Sequence, residues 1–260
     1  MGGRIKTIVV PYIIWCTIYF LYYVVVTHIP AVRNVMSHSS VVELTFSNWV
    51  RHIVVDEYYT LWFLKNLIIF IALTPCLYYL KDYSKTIPSG LIALIGIIVL
   101  TYLVKEKVVN IGFDIPSGLD IYMAGSYFGI NHRDWICKSN RTLSIVALGI
   151  VAIFFLSAFR WFTTPLQIVF FIACWYALDL VRIKKTYWWM GITFFTYVAH
   201  DIPLESFEKI YFMIFGHSPV GSLIDYMFMP LIVEALLIAV AYILIKFTPN
   251  VWRVICGGRG

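Results

Sequence analysis

Residues Leu61 to Leu80 read LWFLKNLIIFIALTPCLYYL, an apolar stretch as long as a membrane span that holds Lys65 and Asn66 near its start. A helix of about 20 such residues, rising about 1.5 Å each, crosses the hydrocarbon core of a bilayer. A cation placed inside it costs about 3 kcal/mol unless it faces protein or water. Two arrangements satisfy this constraint. Either Lys65 and Asn66 line an interior cavity where they meet an anionic or carbonyl group, or Lys65 lies within a turn of the boundary and its long side chain reaches the headgroups.

The rest of the chain agrees with a bilayer setting. Hydrophobic residues make up 61% of the 260 and charged residues 13%, where a soluble domain carries roughly 25% charge. The net charge of +6 does not point to nucleic acid, because no basic run is longer than Lys184-Lys185. In multi-span proteins such residues report topology instead.

The first span is Ile8 to Thr27, behind Arg4 and Lys6, with Pro11 in its first turn, where a missing N–H costs little. It is longer than the apolar core of a cleaved signal peptide, about 7–15 residues. Residues 28–60 mix Arg33, His38, Glu43, Arg51, His52, Asp56 and Glu57 with Phe46 and Trp49, and are expected to form an extramembrane or interfacial segment. After Leu61–Leu80, further spans are expected at Ile87–Val104, Leu119–Ile130, Leu143–Phe159, Leu166–Val181, Trp188–Phe215 and Leu223–Phe247. The short Leu119–Ile130 run, with Gly125 and Gly129 four apart, is read as a close-packed span, with a re-entrant or interfacial helix as the alternative. Pro203 predicts a helix, a bend and a second helix within Trp188–Phe215. The expected fold is all-α: a single polytopic membrane bundle over residues 1–260 with about eight transmembrane helices.

Charge supplies an independent test of topology. Arg4, Lys6, Lys81, Lys85, Arg133, Lys138, Arg141, Arg182, Lys184, Lys185, Lys246, Arg253 and Arg259 fall on one side of this scheme. The other side carries Arg33, Arg51, Lys105, Lys107 and Arg160. The excess predicts that both termini are cytoplasmic.

Cysteine and histidine spacing points to no structural metal and no disulfide framework. Cys16, Cys76 and Cys174 lie in apolar spans, Cys137 and Cys256 fall on the predicted cytoplasmic side, and no CxxC or HExxH occurs. Walker, GxGxxG and GxSxG patterns are absent as well. The informative residues are therefore the polar ones inside spans. Glu234 in the last span must pair, protonate or face water. His200, followed by Asp201 and Pro203, is either a general base or donor to a substrate carbonyl, or a structural histidine at a kink.

Several segments, in order, resemble the membrane acyltransferase family 3, in particular its fucose 4-O-acetylase-like branch. They are RIKTIVVPYIIW at residues 4–15, the Leu-Trp-Phe-Leu helix start at 61–64, the Gly-Ser-Tyr-Phe-Gly helix at 125–129 and the aromatic Thr-Phe-Phe-Thr-Tyr-Val-Ala-His-Asp-Ile-Pro segment at 193–203. The resemblance implies a multi-pass enzyme of the bacterial inner membrane that moves an acetyl or other acyl group to hydroxyls of a cell-surface carbohydrate. Acetyl-CoA or another acyl thioester is the implied donor, and no metal is implied. On this reading Arg4, Trp62, Lys65 and Asn66 bind substrate and His200 is the catalytic candidate.

The family has two further spans, and a histidine behind an arginine, ahead of the region matching Arg4. The resemblance therefore implies that this sequence lacks the first two helices, and a chain beginning at Met1 is expected to transfer little. The implied partners are the lipid bilayer and the carbohydrate acceptor. A non-catalytic membrane protein of the same fold, a glycan transporter or an inactive partner, is the alternative.

Overall fold

The computed structural model describes residues 5–35, 40–54, 60–82, 96, 119, 121–122, 125–126, 141–156, 164–181 and 187–258. A π-helical turn, Ile5–Val9, leads into α1 (Val10–His28), followed by α2 (Pro30–Val35), α3 (Phe46–Val54) and α4 (Trp62–Asp82). Then come α5 (Arg141–Leu156) and α6 (Thr164–Val181), a 3₁₀ turn Trp188–Ile192, α7 (Thr193–Ala199), α8 (Asp201–Phe215), α9 (Pro219–Phe247) and α10 (Pro249–Ile255). No strand occurs among the described residues, so the all-α expectation holds for them. The predicted spans Ile87–Val104 and Leu119–Ile130 lie outside the described residues apart from isolated helical positions, and Arg4 lies outside them entirely.

Two helical runs among the described residues are long and apolar enough to cross a membrane, Lys6–His28 and Pro219–Phe247. Their side chains are sorted in the way a bilayer asks for. In α1, Tyr12, Trp15, Cys16, Tyr19 and Phe20 recur at three- and four-residue spacing and are buried, while Val10, Ile13, Ile18, Leu21 and Val25 face outward. In α9 the buried stripe is Met229, Val233, Leu237 and Ala241, one residue per turn, and Leu223, Ile224, Met227, Phe228, Leu231, Ile232 and Ile243 are exposed. A water-soluble monomer rarely leaves so continuous an apolar surface uncovered.

The chain falls into two compact units, residues 1–68 with 187–260, and residues 69–186. In the first, α1 is the central element. Tyr12 donates to the Ile53 carbonyl at 2.8 Å, Trp49 Nε1 donates to Thr17 Oγ1 at 3.0 Å, and the Val42 N–H donates to Thr27 Oγ1 at 3.0 Å, so residues 42–54 run back along α1. On another side α7 packs through Val198, whose carbonyl accepts from the Tyr19 hydroxyl at 3.1 Å, and Phe195, edge-on to Trp15 at 5.8 Å. The C-terminal end closes over the beginning of the chain. Trp15 Nε1 donates to the Ile255 carbonyl at 3.1 Å, and Trp252 packs on Phe195 at 5.2 Å.

Gly257, at φ +63°, is held so close that a Cβ there would lie 2.3 Å from the Thr7 carbonyl oxygen. Only glycine combines that left-handed backbone with that approach. Pro11, four residues after Thr7, has no N–H to complete an α-helical bond back to it, and the π turn ends just before α1.

The segment Trp188–Phe215 divides as its proline predicts. The break falls at His200, three residues before Pro203, whose missing N–H withholds a bond from the Ala199 carbonyl. After a left-handed Gly216 (φ 70°), Ser218 Oγ caps α9 by accepting from the Gly221 N–H at 3.0 Å. In the second unit α5 packs against α6, and Tyr122 meets the middle of α4 through Phe70, with ring centres 5.3 Å apart, and Thr74 at 3.0 Å.

Candidate functional site

A layer of buried polar groups lies halfway along α1. Lys65 is 6% exposed, Asn66 2% and Thr60 4%. Lys65 sits within electrostatic reach of the Cys16 thiol, which also borders the Tyr12 hydroxyl. Cys16 is near the middle of the Lys6–His28 run, so Lys65 belongs at mid-length of that helix and not at its end. Of the two arrangements open for Lys65, burial against protein is the one observed.

Tyr197 assembles this layer. Its hydroxyl donates to the Thr60 carbonyl and borders the Leu64 backbone N–H, in the first turn of α4. Helix starts leave such N–H groups without intrahelical partners, so a phenol from another helix acts here as the cap. Tyr197 also meets Phe63 edge-on, 6.3 Å between centres. Tyr19, from α1, approaches Thr60 from a second side, although Thr60 Oγ1 itself completes no hydrogen bond of good geometry.

His200 lies one turn beyond Thr196 and Tyr197 and is half-buried. Its Nδ1 is 2.9 Å from the Tyr197 carbonyl and 3.2 Å from that of Thr196. Carbonyls only accept, so Nδ1 is the donor of this ring toward them and Nε2 is the nitrogen left for other partners. Thr196 Oγ1 donates in turn to Glu234 Oε1 at 3.5 Å, bringing α9 to the same level. Asp201 lies within electrostatic reach of Tyr19, Tyr22 and Tyr23, and Ser206 pairs with Tyr22 at 3.0 Å.

Of the residues expected to form a site, Lys65 and Asn66 are both buried, and His200 meets the main chain of Tyr197, whose hydroxyl reaches Thr60. Trp62 is different: it is 38% exposed and edge-on to Phe63 at 6.1 Å. Sequence reasoning passed over Tyr197, Thr60, Tyr12, Cys16 and Tyr19. The last three had a legible signal, since positions 12, 16 and 19 share a helix face with Trp15. Tyr197, three residues before His200, had one too. Thr60 had none, because its burial depends on contacts distant in sequence.

No group of three or more His, Cys, Asp or Glu side chains able to hold a metal ion occurs among the described residues. Comparisons with family models, with curated proteins and with solved structures return no match.

Proposed function

We propose that the chain is a polytopic membrane O-acyltransferase that carries an acyl group from a thioester donor to a carbohydrate hydroxyl. The observation that carries this reading is the buried Lys65–Asn66 pair in the first turns of α4, whose start is bonded at Thr60 by Tyr197, one turn before His200. With Nδ1 committed to main-chain carbonyls, Nε2 of His200 is the base. It takes the proton as the hydroxyl oxygen attacks the thioester carbonyl carbon. The carbonyl π electrons move to oxygen, and the Lys65 ammonium and Asn66 amide stabilise that oxyanion. Collapse re-forms the carbonyl, breaks the carbon–sulfur bond and expels a thiolate, to which His200 returns the proton. Such positioned base catalysis contributes about 10²–10⁴-fold, and one oxyanion donor about 10²–10³-fold.

The bundle around the layer is read as about eight crossings with both termini cytoplasmic. The packing of Gly257 on Thr7 supports it, since an even number of crossings returns the chain to the face where it began.

The test is acyl transfer from radiolabelled acetyl-CoA to fucose-containing glycans by the purified chain in nanodiscs, compared with His200→Gln and Lys65→Met. Transfer that falls at least about 100-fold in both variants supports the assignment. Transfer unchanged in both removes these residues from the chemistry. No transfer by the unaltered chain, nor by a version extended by the two upstream helices of an acyltransferase of the family it resembles, overturns the catalytic reading and leaves the non-catalytic membrane protein.

A further inference from the structure

Helix α3 is amphipathic, and an amphipathic helix on a membrane surface lies in the plane of the interface, across the spans rather than along them. The contacts of α3 show the opposite direction. Val42 meets Thr27, Trp49 meets Thr17 and Ile53 meets Tyr12, in descending order, and His52 packs on Phe20 at 5.3 Å. From Thr27 to Tyr12 is about 22 Å of helix axis at about 1.5 Å per residue. The hydrocarbon core is about 30 Å thick. Thr60 lies beside Tyr19, and α4 starts two residues later, at Trp62, halfway along α1.

The wheel of α3 has two flanks on either side of its contact with α1. One flank is the exposed stripe Phe46, Val50 and Val54, four residues apart. The other carries Ser47, Asn48 and Arg51, with Ser47 and Arg51 exposed. The apolar flank is continuous in kind and in level with the outward face of α1, Val10, Ile13, Ile18 and Leu21.

We propose that α3 is a re-entrant helix at membrane depth, with Phe46, Val50 and Val54 against lipid acyl chains and Ser47 and Arg51 on a hydrated groove that opens at the His28 end of α1. This revises residues 46–54 from an extramembrane or interfacial segment to an intramembrane wall, and it rests on the membrane placement proposed above. Non-lipid-facing polar surface is tolerated at that depth because it borders protein or water. The groove gives a polyhydroxylated acceptor a route to the Lys65 layer from the face opposite the chain termini.

The test is site-directed spin labelling in nanodiscs, with the native cysteines replaced by alanine and nitroxides placed singly by Phe46→Cys, Ser47→Cys, Val50→Cys, Arg51→Cys and Val54→Cys. Relative collision with oxygen and with a water-soluble nickel chelate gives a depth parameter, positive in lipid and negative in water. Positive values at 46, 50 and 54 with negative values at 47 and 51 are expected. Negative values at all five, with Leu231→Cys on α9 still positive, overturn the re-entrant helix while leaving the membrane bundle standing. A negative value at Leu231→Cys as well overturns both. Should the cysteine-free chain fail to fold, a photo-crosslinking phenylalanine at position 50 in the natural chain gives the same readout. Adducts with lipid support the proposal, and their absence at 50, with lipid adducts at 231, overturns it.

Discussion

Replacing Gly257 by alanine tests the closure of the chain's end over its beginning. Two costs arise. At φ +63° an L-residue sits in the left-handed region, which costs about 1–2 kcal/mol relative to glycine. The added Cβ would also lie 2.3 Å from the Thr7 carbonyl oxygen, 2.8 Å from its carbon and 2.9 Å from its Cα. All three are main-chain atoms, so no side-chain rotation relieves the contact. Overpacking of this kind costs about 1–3 kcal/mol, which gives a total of about 2–5 kcal/mol. Gly258, at φ +75° with nothing within 4 Å of an added Cβ, isolates the backbone cost. Gly258→Ala should therefore lose only the first amount. Unfolding of the purified chain in one detergent, followed by tryptophan fluorescence because Trp15 and Trp252 lie at the closure, measures both. Equal midpoints for Gly257→Ala and Gly258→Ala would refute the close approach to Thr7.

Tyr197→Phe keeps the ring on Phe63 but removes the bond to the Thr60 carbonyl. A loss of about 0.5–1.5 kcal/mol is expected, with hydrogen exchange at the first turn of α4 rising more than at α9. Reporter fusions after Lys185 and after residue 258 should both read as cytoplasmic. An extracytoplasmic signal from either breaks the even-crossing scheme.

The two long apolar helices were legible because a bilayer demands an uninterrupted run, and Lys6–His28 and Pro219–Phe247 supply it. The break near Pro203 was legible because a proline's missing N–H acts on the carbonyl four residues back. What escaped the sequence is how segments distant in it pack together. A nine-residue amphipathic stretch such as FSNWVRHIV has the same wheel whether it lies across a span or along one; only bonds such as Trp49 to Thr17 decide. Lys65 stood open between cavity and headgroup for the same reason. The choice depended on where the first turn of α4 meets α1, and that is set by Tyr19 and Tyr197.

The bond from Trp15 to Ile255 joins residues 240 positions apart. A ribosome adding about 5–20 residues per second needs on the order of 10–50 s to pass from one to the other. Throughout that interval the indole N–H of Trp15 is not yet paired to its final acceptor. The packing of the first unit therefore closes only after Ile255 has been made, and not as α1 is made.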